Sequence, residues 1–73
     1  MSVHYFGKGQ VIVEIKQAQE DEWEICLARS QSNSTYEPGD LVTEDPDTFE
    51  FETYLVFPTE QQALAVGFAL INF

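Results

Sequence analysis

The sequence predicts an α+β fold, in which an antiparallel sheet of three or four strands carries one C-terminal helix packed on one face. Two alternating runs separated by a short polar segment are typical of a β-hairpin, and a third alternating run ends at Pro58. An N-capping pattern at Thr59 and a long apolar segment follow, and together they indicate a helix. The alternative architecture is a small SH3-like barrel with a terminal helix.

The hairpin is predicted over residues 11–28, where side chains alternate with the period of two that a half-buried strand requires. Pairing across the polar loop is expected to place Lys16 near Glu22 and Glu14 near Glu24. The second pair sets like charges opposite each other, which destabilises a sheet. The apolar face of the hairpin comprises Val11, Val13, Ile15, Trp23, Ile25 and Leu27.

The segments on either side of the hairpin lack this alternation. Residues 1–9 contain two glycines and are expected to form a flexible N-terminal arm. Pro38-Gly39 predicts a turn, because proline presets φ and glycine supplies a positive φ. A short strand is expected at Leu41-Val42.

The longest strand is predicted over residues 48–57. Its apolar face would carry Phe49, Phe51, Thr53, Leu55 and Phe57, and its outward face Glu50, Glu52, Tyr54 and Val56. Tyr54 would then be an aromatic residue surrounded by acids, which is typical of protein interfaces.

The helix is predicted over Glu60–Ile71, with the Thr59 hydroxyl accepting a hydrogen bond from the Gln62 amide. No polar residue interrupts the segment from residue 63 to 71. A helix that is apolar on all sides is buried on all sides, so loops or a second molecule must cover it. Gly67 indicates a close backbone approach. The predicted core comprises Val11, Val13, Ile15, Trp23, Ile25, Leu27, Phe49, Phe51, Leu55, Leu64, Phe68 and Ile71.

Charge is the most distinctive property of the composition. The 73 residues, which we expect to form a single domain, include 13 acidic and 3 basic side chains, for a net charge of −10. Such a surface repels nucleic acid and anionic membranes and favours partners with basic surfaces, above all proteins that handle nucleic acid. The alternative is that the charge serves only solubility.

The residues offer no recognisable catalytic, cofactor-binding or metal-binding motif, so we expect a protein that is not an enzyme and uses no cofactor. His4 is the only histidine, and Cys26, the only cysteine, is expected to point outward among acids that raise its pKa. The N-terminal residues lack the pattern of a signal peptide, and the apolar run is too short to span a bilayer. We therefore expect a soluble cytoplasmic protein.

In size, charge and strand-strand-strand-helix order, the chain resembles the small acidic proteins that phages encode against host RNA polymerase, restriction nucleases or CRISPR effectors. The resemblance implies an inhibitor that docks on a basic site of a nucleic-acid enzyme, with a preference for a transcription component. A structural, adaptor or immunity-type protein, dimeric through the apolar helix, is the alternative. The residues expected to bind the partner are Glu14, Glu22, Glu24, Glu44, Asp45, Asp47, Glu50, Glu52 and Tyr54.

Overall fold

The computed structural model describes residues 3–30, 35–43 and 45–72. They form one antiparallel sheet with a single C-terminal helix packed on it, which confirms the predicted α+β class. The sheet has five strands rather than three or four, and it is open, in the order β4-β1-β2-β3-β5, instead of closing into a barrel. The elements are β1 (Val3–Gly9), β2 (Val11–Gln19), β3 (Glu22–Arg29), β4 (Tyr36–Leu41), a 3-10 helix (Pro46–Thr48), β5 (Glu52–Phe57) and α1 (Glu60–Ile71).

The additional strand is β1, and the prediction of a flexible arm is therefore wrong for residues 3–9. β1 lies inside the sheet, between β4 and β2. Lys8 pairs with Val11, so that only Gly9 and Gln10 connect the two strands, and Gly9 has the positive φ of 59° that so tight a turn requires. Gly9 thus makes the hairpin possible, and Gly7, the other glycine that suggested flexibility, lies within β1 against the Tyr36 side chain.

The connection between β2 and β3 is shorter than predicted, and this changes the register. β2 continues to Gln19, and only two residues form the turn. Lys16 therefore lies opposite Glu24, and Glu14 lies opposite Cys26. The predicted pairs of Lys16 with Glu22 and of Glu14 with Glu24 are both wrong, and Glu14 and Glu24 are diagonal neighbours on one face instead of a directly opposed pair.

Pro38-Gly39 does not reverse the chain. It lies within β4, an edge strand, where the register with β1 shifts and Gly39 has a φ of 88°. The Glu37 amide donates to Asp40 Oδ2 across this irregularity at 3.0 Å. Proline is tolerated here because its missing amide donor lies in an edge strand. The predicted strand at residues 41–42 is in fact the end of β4 at Leu41.

The strand predicted over residues 48–57 begins only at residue 52 and contains a β-bulge. Leu55 pairs with Ile25, but Thr53 pairs with Cys26, so Tyr54 is the extra residue of the bulge. A bulge interrupts the alternation of side chains between the two faces. Thr53 therefore lies on the opposite face from Leu55, and the predicted grouping of these residues on one face is wrong.

The helix begins and ends where the sequence predicts, and Thr59 Oγ1 accepts a hydrogen bond from the Gln62 amide at 3.2 Å. The stripe that α1 buries against the sheet consists of small residues and one isoleucine: Ala63, Gly67 and Ile71. A Cβ atom at Gly67 would lie 2.5 Å from Ile15 Cδ1, so the close backbone approach is confirmed.

The main core lies between α1 and the sheet and comprises Phe6, Val13, Ile15, Trp23, Ile25, Ala63 and Ile71. Of the predicted core, Val11, Leu55 and Phe68 are instead 41%, 36% and 40% exposed. Phe49 is buried as predicted, but it packs with Ile12 and Ala28 in a second, smaller cluster. Leu27 and Leu64 are half-buried at the margin of the main core, and Phe51 is half-buried beside the smaller cluster.

Candidate functional site

The sheet face opposite α1 collects polar side chains from three strands. We name it the acidic face and define it by Tyr5, Glu14, Lys16, Glu24 and Asp47. The antiparallel register places Tyr5 beside Glu14 in one row, and it places Lys16 beside Glu24 in the next. The side chains of such neighbours lie about 5 Å apart on the same face, so these groups form one continuous surface.

Asp47 reaches the acidic face from the loop that precedes β5. This loop is held to the sheet by Phe49, which is buried against Ile12 and Ala28. The Asp47 amide donates to Asp45 Oδ1 at 3.0 Å, so the Asp45 carboxylate stabilises the loop. Asp47 is exposed and is close enough to Tyr5 to raise the pKa of its phenol.

Glu14 is the most unusual residue of the acidic face. It is only 7% exposed, and its Oε1 atom is buried without a hydrogen-bond partner. Lys16 Nζ lies 3.6 Å from this oxygen, and the Tyr5 hydroxyl is hydrogen-bonded to the Glu14 side chain. Burial and the Glu14 carboxylate raise the pKa of Tyr5 to about 12. Glu14 therefore retains capacity to accept a further donor.

Two polar neighbours continue the acidic face towards β5. Thr53 Oγ1 donates to Glu24 Oε1 at 3.4 Å and lies 3.8 Å from Cys26 Sγ. Cys26 lies on the same face as Glu14 and Glu24, as predicted, but it is buried rather than exposed. Burial, more than the nearby acids, raises the pKa of the thiol. A buried thiol with a raised pKa is a poor nucleophile, so Cys26 acts as a packing residue here.

The remaining predicted site residues do not join the acidic face. Glu22 is half-buried beside the β2–β3 turn, opposite Gln19. Glu52 pairs with Leu27 and so belongs to the face that carries α1. Tyr54 is 55% exposed at the bulge of the edge strand β5. The prediction for Glu44 lies outside the described residues.

Glu50 and Glu52 lie at one end of the sheet, close to a cation. Together with Arg29 they line a shallow cavity of about 310 Å³. The predicted partner-binding residues therefore separate into the acidic face, this pair near Arg29, Glu22 at the opposite end of β3, and Tyr54 at the sheet edge.

Tyr5 and Lys16 belong to the acidic face but were not predicted as site residues. The sequence does not indicate Tyr5, because the glycines of residues 1–9 predict an arm, whereas residues 3–9 form a central strand whose buried residues are Phe6 and Gly7. Lys16 was considered only as a partner for Glu22. The β-branched and aromatic residues Val3, Tyr5 and Phe6 ahead of a glycine are the signal that could have indicated a strand containing Tyr5.

The described residues show no cluster suited to holding a metal ion. Residues 3–30, 35–43 and 45–72 contain no group of three or more His, Cys, Asp or Glu side chains that could hold a metal ion. His4 Nε2 lies on the α1 side of the sheet, 3.7 Å from Glu60 Oε2. In the described part of the chain, no helix has the length and apolar character needed to cross a bilayer.

Comparisons with protein-family models, curated proteins and solved structures give no match to this chain.

Proposed function

We propose that the protein is a binding module that places its acidic face on a basic surface of a larger nucleic-acid-handling protein and thereby inhibits or modulates it. The observation that supports the proposal is the state of Glu14, a buried carboxylate with one oxygen that accepts no hydrogen bond. Burying a charge without full compensation costs folding energy. A partner that supplies a donor to this oxygen would recover that energy.

The chemistry of the acidic face selects a cationic partner group. Glu24 lies diagonally across from Glu14, and Asp47 lies near Tyr5. Lys16 is the one cation of the described residues on this surface. Lys16 is 3.6 Å from Glu14 and about two-fifths exposed, so an incoming guanidinium could displace it. Proteins that handle nucleic acid concentrate Arg and Lys along their phosphate channels, and they match this surface in charge.

The experiment is capture of partners from a bacterial lysate on the immobilised protein, followed by titration of the recovered partner at low and high salt. The test variant is Glu24→Gln/Asp47→Asn. The matched control is Glu20→Gln/Asp21→Asn, which changes the net charge equally at the exposed β2–β3 turn. We expect a nucleic-acid-handling partner whose affinity falls with salt and falls more in the test variant than in the control.

Two results contradict the proposal. Equal losses in the test and control variants would mean that net charge, and not the acidic face, determines binding. Recovery of no partner other than the protein itself, at the mass of a dimer and at either salt concentration, would favour the alternative function below.

The alternative is a structural, adaptor or immunity-type protein that forms a homodimer through α1, and the exposure of Phe68 favours it. Phe68 is 40% exposed, and its ring centroid lies 4.8 Å from that of Phe6. Leu41, opposite Phe6 on β4, is 71% exposed. Sedimentation at low and high salt tests this function. A salt-independent dimer that is lost in Phe68→Asp, but kept in the exposed-site control Ala65→Asp, would support it.

A further inference from the structure

A cavity opens between the sheet and the C-terminal end of α1. Its volume is about 530 Å³, which is within the usual range for sites that bind small molecules. Most of its lining side chains are aliphatic, and Gly9 and Gln10 of the β1–β2 turn lie at its margin. The aliphatic residues are Val11, Val13, Leu27, Leu70 and Ile71. Among the described residues no aromatic ring lines the cavity, and the aliphatic surface that they form suits a flexible alkyl chain better than a stacked planar ligand.

Two of the three cations of the chain lie at this cavity. Lys8 pairs with Val11, and Val11 pairs with Arg29, so the three residues form one row across β1, β2 and β3. Neighbouring strands are about 4.8 Å apart, so the two cationic residues lie about 10 Å from each other on either side of Val11. All three residues line the cavity. In a protein of net charge −10, two of the three cations thus lie beside one apolar space, with Glu50 and Glu52 near Arg29 in the adjoining shallow cavity.

The arrangement defines the chemistry of a ligand. An apolar cavity takes up a hydrocarbon chain, and cations at its margin attract an anionic head group. We infer that this cavity binds an amphipathic carboxylate with an aliphatic chain, which inserts between α1 and the sheet and directs its carboxylate to Arg29 and Lys8. The inference is independent of the proposed function, because the cavity and the acidic face lie on opposite faces of the sheet.

Glu52 provides an internal check on this assignment. It pairs with Leu27 on the cavity side of the sheet, and with Arg29 it also lines the adjoining shallow cavity. The Glu52 carboxylate would repel an anionic head group that is bound near Arg29. Glu52→Gln is therefore expected to strengthen binding of the ligand.

The experiment is a titration of the isotopically labelled full chain, followed by amide chemical shifts, with decanoate kept below its micelle concentration. Decanol and decyltrimethylammonium carry the same alkyl chain with a neutral and a cationic head. We expect saturable shifts at Val11, Leu27 and Leu70 with decanoate. We also expect at least tenfold weaker binding of decanol and decyltrimethylammonium, which corresponds to the contribution of a charge-assisted hydrogen bond.

Three variants distinguish binding in the cavity from a general effect of the net charge of the protein. Arg29→Gln is expected to weaken decanoate binding about tenfold. Lys16→Gln removes the same charge on the opposite face and is expected to leave binding unchanged. Val11→Trp fills the cavity from a position that is 41% exposed, so it is expected to abolish binding without disrupting the core.

Several results would overturn the inference. These are the absence of saturable binding, equal affinity for decanol and decanoate, and equal effects of Arg29→Gln and Lys16→Gln. Arg29→Gln could also lower stability without changing the affinity for decanoate. That result would show that the cations only neutralise the C-terminal end of α1, and it would likewise overturn the inference.

Discussion

Gly67 fixes the distance between α1 and the sheet, and its replacement by alanine tests that role. In an open helix, Gly→Ala stabilises by about 1 kcal/mol. Here the added Cβ would lie 2.5 Å from Ile15 Cδ1, and Ile15 is fully buried. Overpacking a core costs about 1–3 kcal/mol. The two effects leave Gly67→Ala destabilising by about 1 kcal/mol.

A double-mutant cycle isolates the contact. Ile15→Val removes the Cδ1 atom that the new Cβ would meet, and alone it costs about 1 kcal/mol. In the double variant the overlap is gone, and the gain in helix propensity offsets the lost methyl group. Its stability should therefore be close to that of the original chain. The single effects sum to about 2 kcal/mol of destabilisation, so the expected coupling energy is about 2 kcal/mol.

The assay is urea denaturation followed by the fluorescence of Trp23, the only tryptophan, which is buried in the core that α1 covers. Ala69→Gly, at an exposed helix position, is the control for propensity and should cost about 1 kcal/mol. Additive effects of Gly67→Ala and Ile15→Val would refute the reasoning, because they would show that the two side chains do not meet.

Three further predictions concern single residues. Burial, followed by the Glu14 and Asp47 carboxylates, raises the pKa of Tyr5 from 10.0 to about 12, so ionisation of its phenol lowers the free energy of unfolding as pH rises from 10 to 12. Allowing for partial exposure, this loss is about 1–2 kcal/mol and should be absent in Tyr5→Phe, so the free energies of unfolding of the two proteins in urea should diverge over that range, and parallel curves would contradict this. Glu14→Gln should stabilise by about 1 kcal/mol in urea denaturation, since it removes a buried charge whose partner Lys16 is partly exposed; destabilisation would contradict this. Thr59→Ala should cost about 1 kcal/mol in thermal denaturation, through loss of the bond to the Gln62 amide, and an unchanged Tm would contradict it.

The helix could be predicted because its signals are local. Thr59 and Gln62 are three residues apart, and the hydrogen bond between them does not depend on the rest of the fold. The face that α1 buries could not be predicted in the same way. Leu64 and Phe68 form a larger apolar stripe, but the residues buried against the sheet include Ala63 and Gly67 instead. The small residues allow the helix backbone to approach Ile15 closely.

The acidic face could be predicted only in part. Alternation along β2 and β3 already places Glu14, Lys16 and Glu24 on one face, because the change in register is by two residues. Tyr5 and Asp47 join them through the pairing of β1 with β2 and through the loop that precedes β5, and both depend on tertiary packing. Glu14 was predicted as a binding residue, but nothing in its flanking sequence indicated that it would be buried. Its burial depends on the placement of β1 and of the loop that carries Phe51, whose ring centroid lies 6.1 Å from that of Tyr5.

The close packing of α1 also explains the division of the molecule into two surfaces. Because the small stripe contacts the centre of the sheet, the larger side chains lie along both flanks of α1, and Leu70 forms a wall of the cavity. The cations Lys8 and Arg29 line this cavity, whereas Glu14 and Glu24 lie on the opposite face of the sheet. The two proposed sites share no residue. Val11→Trp should therefore leave capture of a basic partner intact, and Glu24→Gln should leave the affinity for decanoate unchanged.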